Sequence, residues 1–419
     1  MTTHDDLTWH PETLAVRAGY DPASAGNSAK PPITMTSTFA YASARQAKDI
    51  HEAYFHGTGP EVGKALHIYA RLGHPNLDMV EARLAALDGA EAAAVFNSGM
   101  ATHSAIVLAH LRPGDSVVFS RPIYGGTNCL LTNFMPGFGI HHAAFANGCD
   151  RTCLETAVEQ ALAQGPLKLI VIETPANPTG AMVDIALVVA IADEIGTRTG
   201  TRPMVVVDNT LLGPLMQRPI ALGADLCMTS LTKYCGGHSD LLAGGVSGRA
   251  DLIHALRLLR TTLGSHLDPY TSWLLLRSME TVHLRMERAS DNARRVAETL
   301  RDHPKVAGIT YLGFLEEGSP ERAVYDRQCS SAGSTFSFAL HGGEAEAFRF
   351  LDALRLLSFA VSLGGSETLI THPATTTHYA LSPDERAAGG ITDATLRLSV
   401  GIEHGDDLIA DIKRALETV

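Results

Sequence analysis

Five short apolar runs constrain this chain more than any other feature: residues 92–96, 116–119, 167–172, 204–207 and 226–229. Runs of this length and composition predict strands buried on both faces. Helix-like segments lie between several of them. Strands that alternate with helices predict a mostly parallel central sheet inside an α/β layered fold. Ahead of the first run, Leu77, Val80, Leu84 and Leu87 share one helical face that Gly89 terminates.

The 419 residues are enough for at least two domains. Residues 1–73 are rich in Pro, Gly, Ser and Thr with few apolar runs, and predict an arm lying on another surface. Residues 74–283 form the large domain. Residues 284–419 predict a smaller α+β domain, entered through a long helix over 270–301. Its strands are expected at 308–311, 334–340, 359–362 and 395–400, with helices at 343–357 and 406–417. The net charge of −12 argues against nucleic acid as a main partner. No run is long enough to span a bilayer, and the first ten residues have no basic segment followed by an apolar one, so no secretory signal is expected. Six cysteines without a Cys-x-x-Cys pair predict reduced thiols in a cytoplasmic protein.

In an open parallel sheet ligands bind beyond the carboxyl ends of the strands, so the residues at the end of each run carry the most information about a site. Ser98, Gly99 and Met100 come after the first, small residues whose free N–H groups at a helix start suit an anion; alone they equally make an ordinary cap. Tyr124 stands at a loop tip after the second, where packing is the plainer reading. The third opens into Glu173-Thr-Pro-Ala-Asn177-Pro. The fourth ends at Asp208, an acid that needs a partner after four apolar residues. The fifth leads to Ser230, Thr232 and Lys233. A buried amine there has a lowered pKa suited to a Schiff base, whereas a snorkelling lysine is the alternative. Gly59-Pro-Glu-Val-Gly63-Lys64 is one residue short of a phosphate loop, and His51, Glu52 and His56 miss the spacing of a zinc motif. No metal site is expected.

Together these positions match what pyridoxal 5′-phosphate (PLP) requires: a lysine for its aldehyde, an acid for its ring nitrogen and a helix start for its phosphate. The motifs Tyr69-Ala-Arg71-x-x-x-Pro, Ser98-Gly-Met, Tyr124-Gly-Gly-Thr, Thr174-Pro-x-Asn-Pro, Asp208-Asn-Thr and Ser230-x-Thr-Lys233-Tyr extend the match. So do Ser362-Leu-Gly-Gly-x-Glu-Thr-Leu, Thr371-His-Pro-Ala and Arg397-Leu-Ser-Val-Gly-Ile-Glu. From about residue 13 to the C-terminus the chain resembles the Cys/Met-metabolism (trans-sulfuration) family of PLP-dependent enzymes. That family includes cystathionine γ-synthase, cystathionine γ-lyase, methionine γ-lyase and O-acetylhomoserine sulfhydrylase. The resemblance implies the aspartate-aminotransferase-like fold (type I) and a homotetramer built from two dimers with shared active sites. It implies that Lys233 holds the cofactor and moves protons, Asp208 pairs with the ring nitrogen and Tyr124 stacks on the ring. Ser98, Gly99, Met100, Ser230 and Thr232 are then expected at the phosphate. Tyr69 and Arg71 are expected to reach the phosphate of the neighbouring subunit. Arg397 is expected to grip the substrate carboxylate, with Ser362, Asn177 and Thr377 beside it.

The reaction implied is γ-elimination or γ-replacement on a homoserine- or homocysteine-type L-amino acid. Cystathionine-cleaving members carry acids where this chain has Ile68 and Val361, which favours an activated homoserine ester or a small uncharged tail. Methionine γ-lyases usually carry cysteine where Gly126 stands, and O-acetylhomoserine sulfhydrylases commonly carry asparagine where Gly365 stands. Residues 50–66 form a longer segment than in the compact members, close to the Tyr-x-Arg motif. A γ-lyase yielding 2-oxobutanoate and ammonia is the alternative. An aminotransferase and a catalytically silent PLP-binding regulator are the readings from other classes.

Overall fold

The computed structural model describes residues 9–58, 67–379 and 382–419. The near-match to a phosphate loop at 59–64, residues 59–66 of the longer segment and the first eight residues lie outside the described residues. Two helices, α1 (Pro11–Arg17) and α2 (Ala44–His56), come first. Ser43 caps α2 by accepting the Gln46 N–H, and of its residues only Ile50 is buried. Helix α3 (Pro75–Asp88) starts with proline and ends at Gly89, where φ is 67°. Leu77, Val80 and Leu84 on its predicted face are fully buried.

A seven-stranded sheet comes next. Its strands are β1 (Ala92–Phe96), β2 (Ser116–Ser120), β3 (His141–Phe145), β4 (Leu167–Glu173), β5 (Met204–Asp208), β6 (Leu226–Thr229) and β7 (Gly244–Gly248), in the order β1-β7-β6-β5-β4-β2-β3. Only β7 runs against its neighbours; β2/β3, β2/β4, β4/β5 and β5/β6 are parallel. Successive residues feed opposite faces. Leu169, Val171 and Val206 join one core; Ile170, Ile172, Val205 and Val207 join the other. Both faces are covered by helices α4 (Gly99–His110), α5 (Gly125–Cys129), α6 (Arg151–Leu162), α7 (Ile185–Thr199) and α8 (Ala250–Leu263), which is why the runs are apolar on both faces at most positions. Strands β3 and β7 were not expected. β3 is an edge strand of His and Ala, and β7 is mostly glycine, so neither carries β-branched residues in the usual density.

The single helix expected over 270–301 is two, α9 (Pro269–Met279) and α10 (Val282–Arg301). Arg285 explains the break. Its Nη2 takes the Ser278 carbonyl at 2.7 Å and its Nη1 takes the Tyr234 carbonyl at 2.7 Å, so the end of α9 is tied to the Lys233 loop instead of continuing its own ladder. Beyond α10 a five-stranded sheet contains β8 (Val306–Ile309), β9 (Thr335–Leu340), β10 (Ser358–Phe359), β11 (Leu369–Thr371) and β12 (Thr395–Ser399), in the order β10-β11-β12-β9-β8. Helices α11 (Pro320–Gln328), α12 (Glu344–Ala353), α13 (Pro383–Ala388) and α14 (Gly405–Leu416) accompany it. The strand expected at 359–362 stops at Phe359, because the chain leaves the sheet before Ser362, whose φ is 90°. One apolar core runs from Leu84 and Leu231 through Met286 and Val296 to Phe336, Phe350, Leu396 and Leu408. Among the described residues no helix is long and apolar enough to cross a membrane, and no three His, Cys, Asp or Glu side chains are grouped to hold a metal ion.

Candidate active site

Because β1, β2, β4, β5 and β6 all run the same way, their carboxyl ends open at one edge. Asp208 ends β5 and is 5% exposed. Its Oδ2 accepts from His103 Nε2 at 3.0 Å, and its Oδ1 accepts from the Thr210 N–H at 3.0 Å and the Thr210 hydroxyl at 2.6 Å. The partner that a buried acid requires is therefore a histidine one turn into α4. Thr210 Oγ1 in turn accepts the Ser230 N–H at 2.9 Å, which ties the acid to the start of the lysine loop.

Lys233 Nζ donates to Ser362 Oγ at 2.9 Å. Burial, then the charge of Arg397, lowers its pKa to about 8, so a neutral amine is within reach near neutral pH. Arg397, on β12, is 2% exposed. Its Nη1 donates to Asn177 Oδ1 at 3.1 Å, and its Nη2 to the Ser362 carbonyl. Burial lowers its pKa to about 10, far enough above neutrality to keep it cationic. Ser362 thus joins the amine to the guanidinium, and its left-handed backbone, costly for a non-glycine residue, is held by both bonds. Gly364 beside it has φ 74°, and a Cβ there would meet the Tyr234 nitrogen at 2.8 Å; only glycine lets this loop lie on the lysine segment.

Ser98 caps α4, its Oγ accepting the Ala101 N–H at 3.0 Å. A Cβ on Gly99 would come within 3.1 Å of Ser230 Oγ, so the start of α4 and Ser230 converge, with Met100 next in the first turn. The Thr232 hydroxyl donates to the Ala243 carbonyl at 3.1 Å and accepts the Ala243 N–H at 2.9 Å; it shapes the loop around Lys233. Tyr124 caps α5, and its side chain is 45% exposed. Its ring lies over Gly126, where a Cβ would meet Tyr124 Cε1 at 2.7 Å and Met100 Sδ at 2.8 Å. Thr377 Oγ1 bonds His378 Nδ1 at 2.9 Å, and a Cβ on Gly125 would lie 3.5 Å from the Thr377 carbonyl. Tyr69 and Arg71 stand apart from this cluster: Tyr69 is 42% exposed, Arg71 Nη1 donates to the Thr261 carbonyl, and the guanidinium lies 5.9 Å from the Tyr69 ring centroid.

Three site residues were not singled out from sequence. Glu173 is buried beside Asp208, and the rule that selected Asp208, an acid closing an apolar run, selects it too. His103 and His378 carry no such signal: the partner of His103 comes from another element, and the His378 ring bonds its neighbour Thr377 and draws its surroundings from packing beside Arg397. His378 is buried, and burial followed by the Arg397 charge lowers its pKa to about 4. His378 Nε2 and Arg397 Nε are both buried without a hydrogen-bond partner, which marks this wall as one that receives polar atoms from a ligand.

The fold and this cluster define a type I PLP-dependent enzyme. Residues 12–417 match the family profile described as Cys/Met metabolism PLP-dependent enzyme. The chain is 39% identical to an L-methionine gamma-lyase of Pseudomonas deceptionensis over 97% of both proteins. It is 37% identical to the cystathionine gamma-synthase of Escherichia coli, over 97% of this chain and 98% of that one. A crystal structure of cystathionine gamma synthase from Xanthomonas oryzae pv. oryzae, in complex with aminoacrylate and cysteine, superposes with a TM-score of 0.87 at 34% identity, covering 98% of each chain. The chain belongs to the Cys/Met-metabolism family of PLP-dependent enzymes, the group of γ-synthases and γ-lyases, and PLP is its cofactor.

The residues present fit that cofactor. The first-turn amides of α4 converge with Ser230, Asp208 is buried and ionisable, and the Lys233 amine faces the same edge. When bound, PLP supplies an electron sink for charge that develops on the substrate α-carbon.

Proposed function

We propose that this enzyme carries out γ-elimination or γ-replacement on a homoserine- or homocysteine-type L-amino acid. The observation that carries the reading is the Lys233–Ser362–Arg397 link. An α-amino acid presents its amino group and its carboxylate a fixed distance apart. Here an amine of lowered pKa and a buried guanidinium share one serine, which sets that distance. Arg397 binds the carboxylate through donors that include its unpartnered Nε. Lys233 takes a proton from the α-carbon and returns one farther along the chain, which its pKa of about 8 suits. Asp208, with His103 and Thr210 on its oxygens, holds the proton at the cofactor ring nitrogen. Gly99, Met100 and Ser230 receive the phosphate, with Ser98 and Thr232 fixing the turns that carry them. Tyr124 covers the ring.

The tail of the substrate meets Val361, 56% exposed, and the Ile68 position of a neighbouring subunit's arm. Neither offers a charge for the distal ammonium of cystathionine. This supports an activated homoserine ester or a γ-substituted amino acid with a small uncharged tail, in keeping with relatives named methionine gamma-lyase and O-succinylhomoserine sulfhydrylase. The assembly is read as a homotetramer in which Tyr69 and Arg71 complete the phosphate site of a neighbouring subunit.

Product analysis tests the reading. The protein is incubated with O-acetyl-L-homoserine with and without a thiol, and separately with L-methionine and L-cystathionine. A thioether amino acid formed from ester and thiol identifies replacement; 2-oxobutanoate and ammonia without thiol identify elimination. A 2-oxo acid that keeps its γ substituent would show an aminotransferase instead. Lys233→Ala is expected to abolish both turnover and the visible band of the bound cofactor, and retained turnover would sink the assignment.

A further inference from the structure

Glu173 closes β4, is 4% exposed, and stands in register with Asp208 on β5. A carboxyl this deeply buried is tolerated only if its oxygens are bonded. Both are, and to different loops. Oε2 accepts the Tyr124 N–H at 2.5 Å, from the turn after β2. Oε1 accepts the Asn177 N–H at 2.7 Å, from the turn after β4. The Asn177 side chain then holds Arg397 Nη1 at 3.1 Å, and the Ser120 hydroxyl accepts the Glu173 N–H at 3.0 Å. Burial, reinforced by the neighbouring Asp208 charge, pushes the Glu173 carboxyl up, while the Asn177 and Tyr124 bonds oppose the shift.

We propose that Glu173 is a positioning residue that joins the Tyr124 turn to the Asn177–Arg397 pair, so that the aromatic cover of the ring and the grip on the substrate carboxylate keep one fixed spacing. The inference rests on the assignment of Arg397 and Tyr124 to substrate and ring under the proposed function. A carboxylate can accept from both loops at once. An amide of the same shape cannot, because its NH₂ faces one of the two backbone donors. Glu173→Gln therefore cuts one link with little change in volume, and Glu173→Asp keeps the carboxyl group and its two acceptor oxygens but withdraws them by one methylene.

The experiment measures binding of L-norleucine, an amino acid with no γ leaving group, to the holoenzyme through the visible band of the bound cofactor. It compares Glu173→Gln and Glu173→Asp alone and each combined with Asn177→Ala, which keeps the backbone N–H but severs the side-chain link to Arg397. The single Glu173 variants are expected to bind norleucine roughly tenfold more weakly. In the Asn177→Ala background the further loss is expected to be less than about twofold, the non-additivity of residues acting through one another. Equal losses in both backgrounds would reduce Glu173 to a general structural role, and wild-type affinity in either single variant would overturn the proposal outright. Should Glu173→Gln fail to fold, the Asp variant carries the same comparison. A wild-type protein with no cofactor band at all would refute the site assignment itself, an outcome separable from these.

Discussion

Lys233 is placed between opposing demands. Its amine has to be buried to become neutral and has to stay bonded while buried. Ser362 Oγ, at 2.9 Å, meets the second demand without supplying a charge. An ion pair there would have raised the pKa instead of lowering it. Burial is the larger cause of the shift from 10.5 to about 8 and the Arg397 charge the smaller. In cofactor-free protein, labelling of Lys233 by an amine-acylating reagent, read by mass spectrometry, should rise with pH about a midpoint near 8, because only the neutral amine reacts. Arg397→Gln should move that midpoint upward by less than half of the way back to an ordinary lysine. A midpoint above 10 in the wild type would mean that the amine is solvated. The same reasoning shows which site residues the sequence disclosed. Asp208 carries charge directly after an apolar run, and Lys233 stands in a stretch with little other charge, conflicts visible in one dimension; Arg397 comes from the family motif around it. His103 and His378 sit in unremarkable local sequence, and only packing gives them their roles.

At the scale of elements, the placement of α4 depends on β7. A Cβ on Gly244 would press on the Ser98 carbonyl and the Thr102 hydroxyl, and one on Gly245 would meet Leu84 Cδ2 at 2.5 Å. The strand is therefore glycine-rich because two helices lie directly on it, and that closeness is what brings the amides of Gly99 and Met100 to Ser230. Gly244→Ala should lower stability by about 1–3 kcal/mol and weaken cofactor binding together, read from urea unfolding of the apoprotein and from cofactor titration. Loss of stability with unchanged cofactor affinity would mean that α4 is held by its other neighbours. This dependence also explains what was illegible. Strands whose identity comes from an unbroken apolar run, such as β4 and β5, are apparent from the sequence; β7 has almost no side chains to read. The break between α9 and α10 was hidden for a related reason, since Arg285 reaches carbonyls on a loop some 50 residues away in sequence.

For the whole molecule, the question is where the arm works. Residues Tyr69 and Arg71 are exposed, and the arm helix α2 buries only Ile50; these residues add little to the fold of their own chain. If they complete a neighbour's phosphate site, two differently damaged chains can repair each other. Lys233→Ala removes the amine and leaves the arm intact; Arg71→Ala does the reverse. Each alone should have little or no turnover. Co-expressed in equal amounts they form mixed pairs, in which one of the two sites combines an intact Lys233 from one chain with an intact Arg71 from the other. Random pairing makes half of the pairs mixed, so about a quarter of wild-type turnover per site should return. If instead the arm served its own chain, every site would carry one lesion, and co-expression would recover nothing beyond the two variants measured separately. Recovery with affinity-purified mixed pairs, scored against the same variants mixed after folding, distinguishes shared sites from a mere gain in stability on co-expression.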